Sequence, residues 1–265
     1  MVNGLKRNKK NILILLGVFF LCFILLSLDS NNIKQRNITL NQLEPKSNIN
    51  LTRLNHKYYV IGYNKSNCEA SYVCYLLTKS MVNSKKYSRG KLTFKKDYLL
   101  SYSYATNNDY KKSGFDKGHM CPANDMSWSS DAMAETFYLS NICPQDPKLN
   151  RGKWKSLEEK VRYWANKNDS ILIITGPIFT KNEGYIGKHQ IKVPNKFYKI
   201  IIDISYPTYK AIAFVMDNSY QEKDISSYST SIKQVENLTH LNFFPDFDKD
   251  AFIQGLEKQN NISLW

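Results

Sequence analysis

Residues 113–128 read SGFDKGHMCPANDMSW, residues 135–145 read ETFYLSNICPQ, and residues 149–164 read LNRGKWKSLEEKVRYW. The third stretch carries Trp154, Leu157, Val161 and Trp164 at intervals of three, four and three. At about 100° per residue that spacing gathers them into one arc and predicts a helix with a buried face. Both tryptophans therefore read as core and not as rings for stacking on bases. Asn150 opens this helix, and Glu158 and Arg162 follow at rotations of roughly 80° and 120° from it. In the first stretch His119 comes behind Asp116, Lys117 and Gly118, where glycine lets a ligand approach the backbone. The second stretch ends a strand-like run, 136–140, on Asn141.

Outward from this centre, residues 58–63, 71–77, 171–175, 197–204 and 211–216 are short apolar runs rich in β-branched and aromatic side chains, and they predict strands. Residues 231–241 predict a second helix, with Ile232, Val235 and Leu238 on one side. Strands and helices without regular alternation indicate an α+β fold, a mainly antiparallel central sheet flanked by helices. One domain over residues 58–265 accounts for the pattern, preceded by a polar, Asn-rich tether at 29–57.

The amino terminus has a different character. Lys6, Arg7, Lys9 and Lys10 form a basic segment, 1–11, and residues 12–28 carry no charge. A helix over that run would reach roughly 26 Å, near the lower limit for crossing a bilayer. The reading is a transmembrane signal-anchor or a signal peptide with a cytoplasmic amino terminus. It expects an exported domain, periplasmic or extracellular, that is membrane-anchored through residues 12–28 or secreted if they are cleaved. Four cysteines follow, Cys68, Cys74, Cys121 and Cys143, for which three disulfide pairings are open.

The chain has 265 residues, with 37 Lys and Arg against 23 Asp and Glu, a formal net charge of +14. Setting aside the four amino-terminal basic residues and Asp29 leaves 33 against 22, so the excess belongs to the folded part. Such a surface suits a polyanion: nucleic acid, anionic membrane or acidic glycan. With 42% hydrophobic residues, disordered and collagen-like chains are excluded. The chain has four histidines, His56, His119, His189 and His240, and His119 is the one set among polar groups and glycines. An imidazole, an Asn at a helix start, an acid and nearby cations are the parts needed to hydrolyse a phosphodiester: a base for water, a ligand for a hard cation, and charge for the phosphate.

The segments DKGHMCPANDM, ETFYLSNICPQ and LNRGKWKSLEEKVR resemble the DNA/RNA non-specific endonuclease family, the sugar-non-specific nucleases of the ββα-metal (His-Me finger) class. YYVIGY, YVCYLLT, ITGPIF, VPNKFYKIII and SIKQVENLTHLNFFP extend the likeness over most of the chain after the tether. The resemblance implies His119 as general base and Asn150 as the one direct protein ligand of Mg²⁺, with Mn²⁺ as a substitute. It implies Glu158 on a metal-bound water, Asn141 holding His119 and substrate, and Arg162 steadying the phosphate. An upstream arginine falls on Arg89, within an Arg89, Phe94, Asp97 pattern whose first interval is one residue longer than the family's. Such enzymes cut DNA and RNA to leave 5′-phosphates. Two positions depart from the family pattern: Lys117 replaces an arginine, losing the bidentate fork on phosphate, and Asn124 replaces an alanine.

Simpler roles stand beside these. Asn150 can cap its helix, and Glu158 and Arg162 can form an i, i+4 ion pair. A membrane-tethered protein that keeps the fold and binds nucleic acid without turnover is the main functional alternative; a basic glycan binder would explain the charge but not the His/Asn/Glu spacing.

Overall fold

The computed structural model describes residues 44–102, 105–180, 184–203, 205 and 209–265. Residues 1–11, read as a basic segment, and 12–28, read as a transmembrane signal-anchor or signal peptide, lie outside the described residues. Among the described residues no helix is long and apolar enough to cross a membrane.

In chain order the strands are β1 (Lys46–Ser47), β2 (Thr52–Asn55), β3 (Val60–Asn64), β4 (Glu69–Thr78), β5 (Asp116–His119), β6 (Ile142–Gln145), β7 (Ser170–Ile178), β8 (Tyr185–Ile186), β9 (Ile191–Lys192), β10 (Lys196–Asp203), β11 (Lys210–Asp217), β12 (Ser229–Thr230) and β13 (Leu241–Asn242). Three helices cover the sheet: α1 (Lys155–Lys167), α2 (Ile232–Thr239) and α3 (Ala251–Glu257). Seven strands form one sheet in the order β12-β11-β10-β7-β4-β3-β2, and every neighbouring pair is antiparallel. The expected α+β class with an antiparallel sheet and flanking helices is what the chain forms.

The central strands read as unbroken apolar runs because both faces of the sheet are covered. Along β7, Ile171 and Ile173 join a core with Leu157, Val161 and Trp164 of α1. Leu172 and Ile174 point the other way, to Ile232 and Val235 of α2 and Ile253 and Leu256 of α3, as the two-residue repeat of a strand requires.

The sheet begins earlier than expected. Residues 52–55, read as the end of the tether, are its edge strand β2: Leu54 is buried between exposed Arg53 and Asn55. A single inward leucine among polar residues is too short an alternation to stand out in sequence. The 136–140 run is not a strand either. Helix Ser130–Glu135 ends on Thr136, and Leu139–Asn141 makes a tight 3₁₀ turn. The four cysteines are free thiols, with Cys74, Cys121 and Cys143 buried.

Candidate active site

β5 and β6 lie apart from the large sheet and pair antiparallel, Asp116 opposite Gln145 and His119 opposite Ile142. The Gln145 side chain crosses Gly118, where an added Cβ would come within 2.4 Å of its Oε1. That close approach is what the glycine before His119 permits. After β6, the Asp146 carboxylate accepts from the Lys148 and Leu149 amides at 2.7 and 3.2 Å and starts a wide π-type turn, Leu149–Trp154, kinked at Gly152. This turn leads into α1, which buries Leu157, Val161 and Trp164, with Trp154 buried just before it. Two short strands and a helix thus hold His119 on the strand pair and Asn150 at the helix entrance.

Three of the four imidazoles are placed structurally. His56 Nε2 is 2.9 Å from buried Asp97, His189 Nδ1 is 2.9 Å from Asp109, and His240 ends α2 in the left-handed region. His119 differs. Its ring sits against Phe94 at 5.3 Å and edge-on to Phe137 at 5.2 Å between centroids. Nε2 is enclosed without a hydrogen-bond partner, and no described group bonds Nδ1, the ring nitrogen left open. Burial, and then the Arg89 charge, push the His119 pKa down to about 3, so the ring is neutral near pH 7.

Around this imidazole the charge is positive and uncompensated. The Arg89 guanidinium lies over Phe94 and Phe137 at 5.4 and 5.1 Å, and Lys117 Nζ lies 5.2 Å from Phe94. Lys117 and His119 are two apart on β5 and share a strand face. Burial and then Arg89 lower the Lys117 pKa. Among the described residues neither cation has a carboxylate within ion-pair distance. The oxygens of one phosphate group would give both a partner.

Asn150 is fixed by its amide nitrogen. Its Nδ2 donates to Asp116 Oδ2 at 2.9 Å, while Arg151 grips the same carboxylate through Nε at 2.7 Å and a terminal nitrogen at 2.5 Å. Burial opposes the ionised form of Asp116, but the Arg151 and Asn150 hydrogen bonds outweigh it and hold the pKa below the usual range. A carboxylate can only accept, so the carboxamide cannot turn over, and Oδ1 is the atom left for a cation. No described protein group donates to that oxygen.

Glu158 follows two turns along and is partly buried. Burial pushes it up to about 7; Lys199 pulls the other way, Asp125 adds to the rise, and Arg162 opposes it. Lys199 is wholly buried on β10, its Nζ without a hydrogen-bond partner and 4.9 Å from the Trp154 ring centroid.

Two residues expected at the substrate are elsewhere. Arg162 is buried and donates to buried Asp125 at 2.8 Å, where Tyr75 also donates to Asp125 at 2.8 Å. It is therefore neither open to phosphate nor paired with Glu158. Asn141 is wholly buried. Its Oδ1 accepts from the Cys121 amide at 2.8 Å, and Nδ2 donates to the carbonyls of Cys121 and Thr136 at 3.0 and 2.9 Å. It pins the chain just after His119; both of its donors are used and it is wholly buried, out of reach of a substrate. Asn124 is exposed, so its departure from alanine disturbs no packing. The sequence reading missed the clamp from Asp116 and Arg151 onto Asn150, the aromatic walls of His119, and Lys199. The Arg89, Phe94, Asp97 pattern contained part of that signal, since Arg89 and Phe94 meet at His119 while Asp97 anchors the segment to Ser140 and His56.

Residues 36–250 match the DNA/RNA non-specific endonuclease family, and the chain belongs to that family. It is 34% identical to Endonuclease G, mitochondrial, of Homo sapiens over 163 residues, 57% of this chain and 55% of that protein. It is 32% identical to Nuclease C1 of Cunninghamella echinulata var. echinulata over 210 residues, 74% of this chain and 83% of that protein. A crystal structure of an EndoG/EndoGI complex, described as showing the mechanism of EndoG inhibition, superposes with a TM-score of 0.68 at 30% identity, covering 74% of this chain and 87% of that one. The chain spans about half the length of the Endonuclease G and EXOG relatives it matches.

Proposed function

We propose that the protein is a divalent-metal-dependent endonuclease that hydrolyses phosphodiester bonds of DNA and RNA and leaves 5′-phosphates. The observation that carries this reading is a neutral imidazole without a protein partner, His119, flanked by two unpaired cations, Arg89 and Lys117, on a strand whose first residue, Asp116, locks the Asn150 carboxamide.

Each residue then has a chemical task. His119 Nδ1 takes a proton from the attacking water while Phe94 and Phe137 keep the ring in place. Arg89 and Lys117 receive the phosphate, and its charge offsets the repulsion of a protonated ring by Arg89, so substrate binding raises the basicity of His119. Asp116 and Arg151 orient Asn150. Among the described residues no cluster of three or more His, Cys, Asp or Glu side chains stands ready to hold a metal, so a cation here would rest on Asn150 Oδ1, with Glu158 reaching its water. When bound, Mg²⁺ or Mn²⁺ would supply charge neutralisation at the phosphate and the departing oxygen. Arg162 and Asn141 act through others, by holding Asp125 and the Cys121 backbone. Phosphate contacts without base-edge contacts give little sequence specificity.

Residues 12–28, read as an export segment, would place this activity outside the cytoplasm; fractionation of expressing cells tests that. The activity itself is tested on plasmid DNA and RNA with Mg²⁺, with Mn²⁺ and with a chelator. Degradation that stops on chelation, and a His119→Ala variant that binds DNA but does not cut it, is the expected result. Wild-type protein that binds DNA and cleaves nothing with either metal would instead make it a nucleic-acid-binding member of the family.

A further inference from the structure

Residues 84–102, SKKYSRGKLTFKKDYLLSY, run past His119 and extend beyond it. Lys85, Lys86, Arg89, Lys91, Lys95 and Lys96 are all exposed, and among the described residues none is in an ion pair. The one acid of the segment, Asp97, is buried and occupied: His56 lies 2.9 Å away, the Ser140 hydroxyl donates at 2.5 Å and the Leu99 amide at 2.8 Å. Asp97 therefore does not offset these cations at the surface; it fastens the segment to the domain. Lys95 exchanges backbone hydrogen bonds with Phe137 and Leu139, so Phe94 meets Phe137 at the imidazole while Lys95 and Tyr98 meet the next residue, Tyr138.

That second meeting is a platform. Lys95 Nζ lies 4.6 Å from the Tyr138 ring centroid, Tyr98 packs edge-on to Tyr138 at 5.5 Å, and His56 stacks beneath Tyr138 at 5.1 Å and 20°. The stack fixes Tyr138 from below and leaves Tyr98 65% exposed. An exposed ring packed edge-on to Tyr138, which itself carries an unpaired lysine and adjoins the Phe137 wall of His119, is well suited to a planar, anionic polymer.

We propose that Tyr98, with Lys95 and Tyr138, is a stacking subsite for an unpaired base, and that residues 84–102 track a single strand of nucleic acid leading to His119. The proposal rests on the nuclease reading above and adds a specificity to it. Bases in a duplex are already stacked on one another and cannot cover the tyrosine, whereas an unpaired base can, so the subsite favours single-stranded substrate.

The test compares Tyr98→Ala and Tyr98→Phe with the wild type. Substrates are a single-stranded oligonucleotide of about twenty nucleotides and a duplex of the same sequence, each assayed for kcat/KM with Mg²⁺. Loss of one stacked base lowers single-strand kcat/KM by about tenfold in Tyr98→Ala, leaves the duplex within about twofold, and is restored in Tyr98→Phe, which keeps the ring. Equal losses on both substrates, or no loss on the single strand, would overturn the subsite. Should the wild type cut neither substrate, the nuclease reading fails while the track is still measurable. Fluorescence anisotropy of the labelled single strand should then show the same loss of affinity in Tyr98→Ala, and unchanged affinity would overturn it.

Discussion

The depressed pKa of His119 makes a prediction about folding that is independent of turnover. In the native protein burial and Arg89 push the group from its ordinary 6.5 down to about 3. Between those values the unfolded chain binds a proton that the native chain does not. Stability is therefore lost as pH falls below 6.5, at roughly 1.4 kcal/mol per pH unit from this one group. Two units of acidification cost at most about 3 kcal/mol, a large share of the net stability of an ordinary domain. His119→Gln removes the titrating group and with it this part of the slope. The assay is urea denaturation of both proteins at about pH 7 and about pH 4.5. The wild type should lose about 2–3 kcal/mol more than the variant across that interval, because all other titrating groups are common to the two. Parallel losses would refute the reasoning: they would mean that the imidazole carries its ordinary proton affinity, and that water reaches the ring beyond its open Nδ1, past the Phe94 and Phe137 walls.

Three further substitutions separate the parts of the site. Asp116→Asn removes the anion gripped by Arg151 and frees the Asn150 carboxamide to rotate; Mg²⁺ affinity measured by calorimetry should fall by about tenfold, with little change in melting temperature because the Arg151 side chain is 73% exposed. Asn141→Leu strands the Cys121 amide and the carbonyls of Cys121 and Thr136, at about 1–3 kcal/mol for each group left unpaired; chemical denaturation should show a loss of several kcal/mol, and kcat should fall with KM nearly unchanged. Arg162→Met leaves the Asp125 carboxylate buried beside Tyr75 without its cation and should cost about 3–5 kcal/mol, whereas Arg162→Met combined with Asp125→Leu should recover much of it; a merely additive double variant would contradict the buried pair.

How much of this was legible in the sequence depends on whether a residue's environment comes from its neighbours in the chain or from distant ones. The helix over Trp154, Leu157, Val161 and Trp164 was legible because its burial follows from spacing alone, and strands β4, β7, β10 and β11 because two covered faces leave continuous apolar runs. The position of Asn150 at the entrance of α1 was legible because the apolar spacing that marks the helix begins just after it. Arg162 was misjudged for the opposite reason. A helical arc gives its direction, but its partner, Asp125, arrives from 37 residues away, and only the fold reveals that the charge is already used. Asn141 was misjudged similarly, since a carboxamide next to the catalytic strand looks available until its three backbone partners are counted. Lys199 was hidden in an apolar strand, where a lone lysine reads as an interruption and not as a buried amine over the Trp154 ring.

The same distinction orders the cations of the site. Arg151 and Arg162 each have an acid, Asp116 and Asp125, and both acids come from the stretch that includes His119. That stretch therefore carries its own ties to the Asn150 turn, through Arg151, and to α1, through Arg162, and moving the helix would move Asn150 and β5 together. Arg89 and Lys117 have no acid. Of the two, Arg89 lowers the proton affinity both of the His119 ring and of Lys117. A protein that only needed this region for folding would gain by placing a carboxylate between them, as it does beneath α1. Leaving the pair uncompensated at the open side of a neutral imidazole is a cost to the free protein that an incoming phosphate would remove, and under the proposed function it separates the two charges tied up in structure from the two that await a substrate.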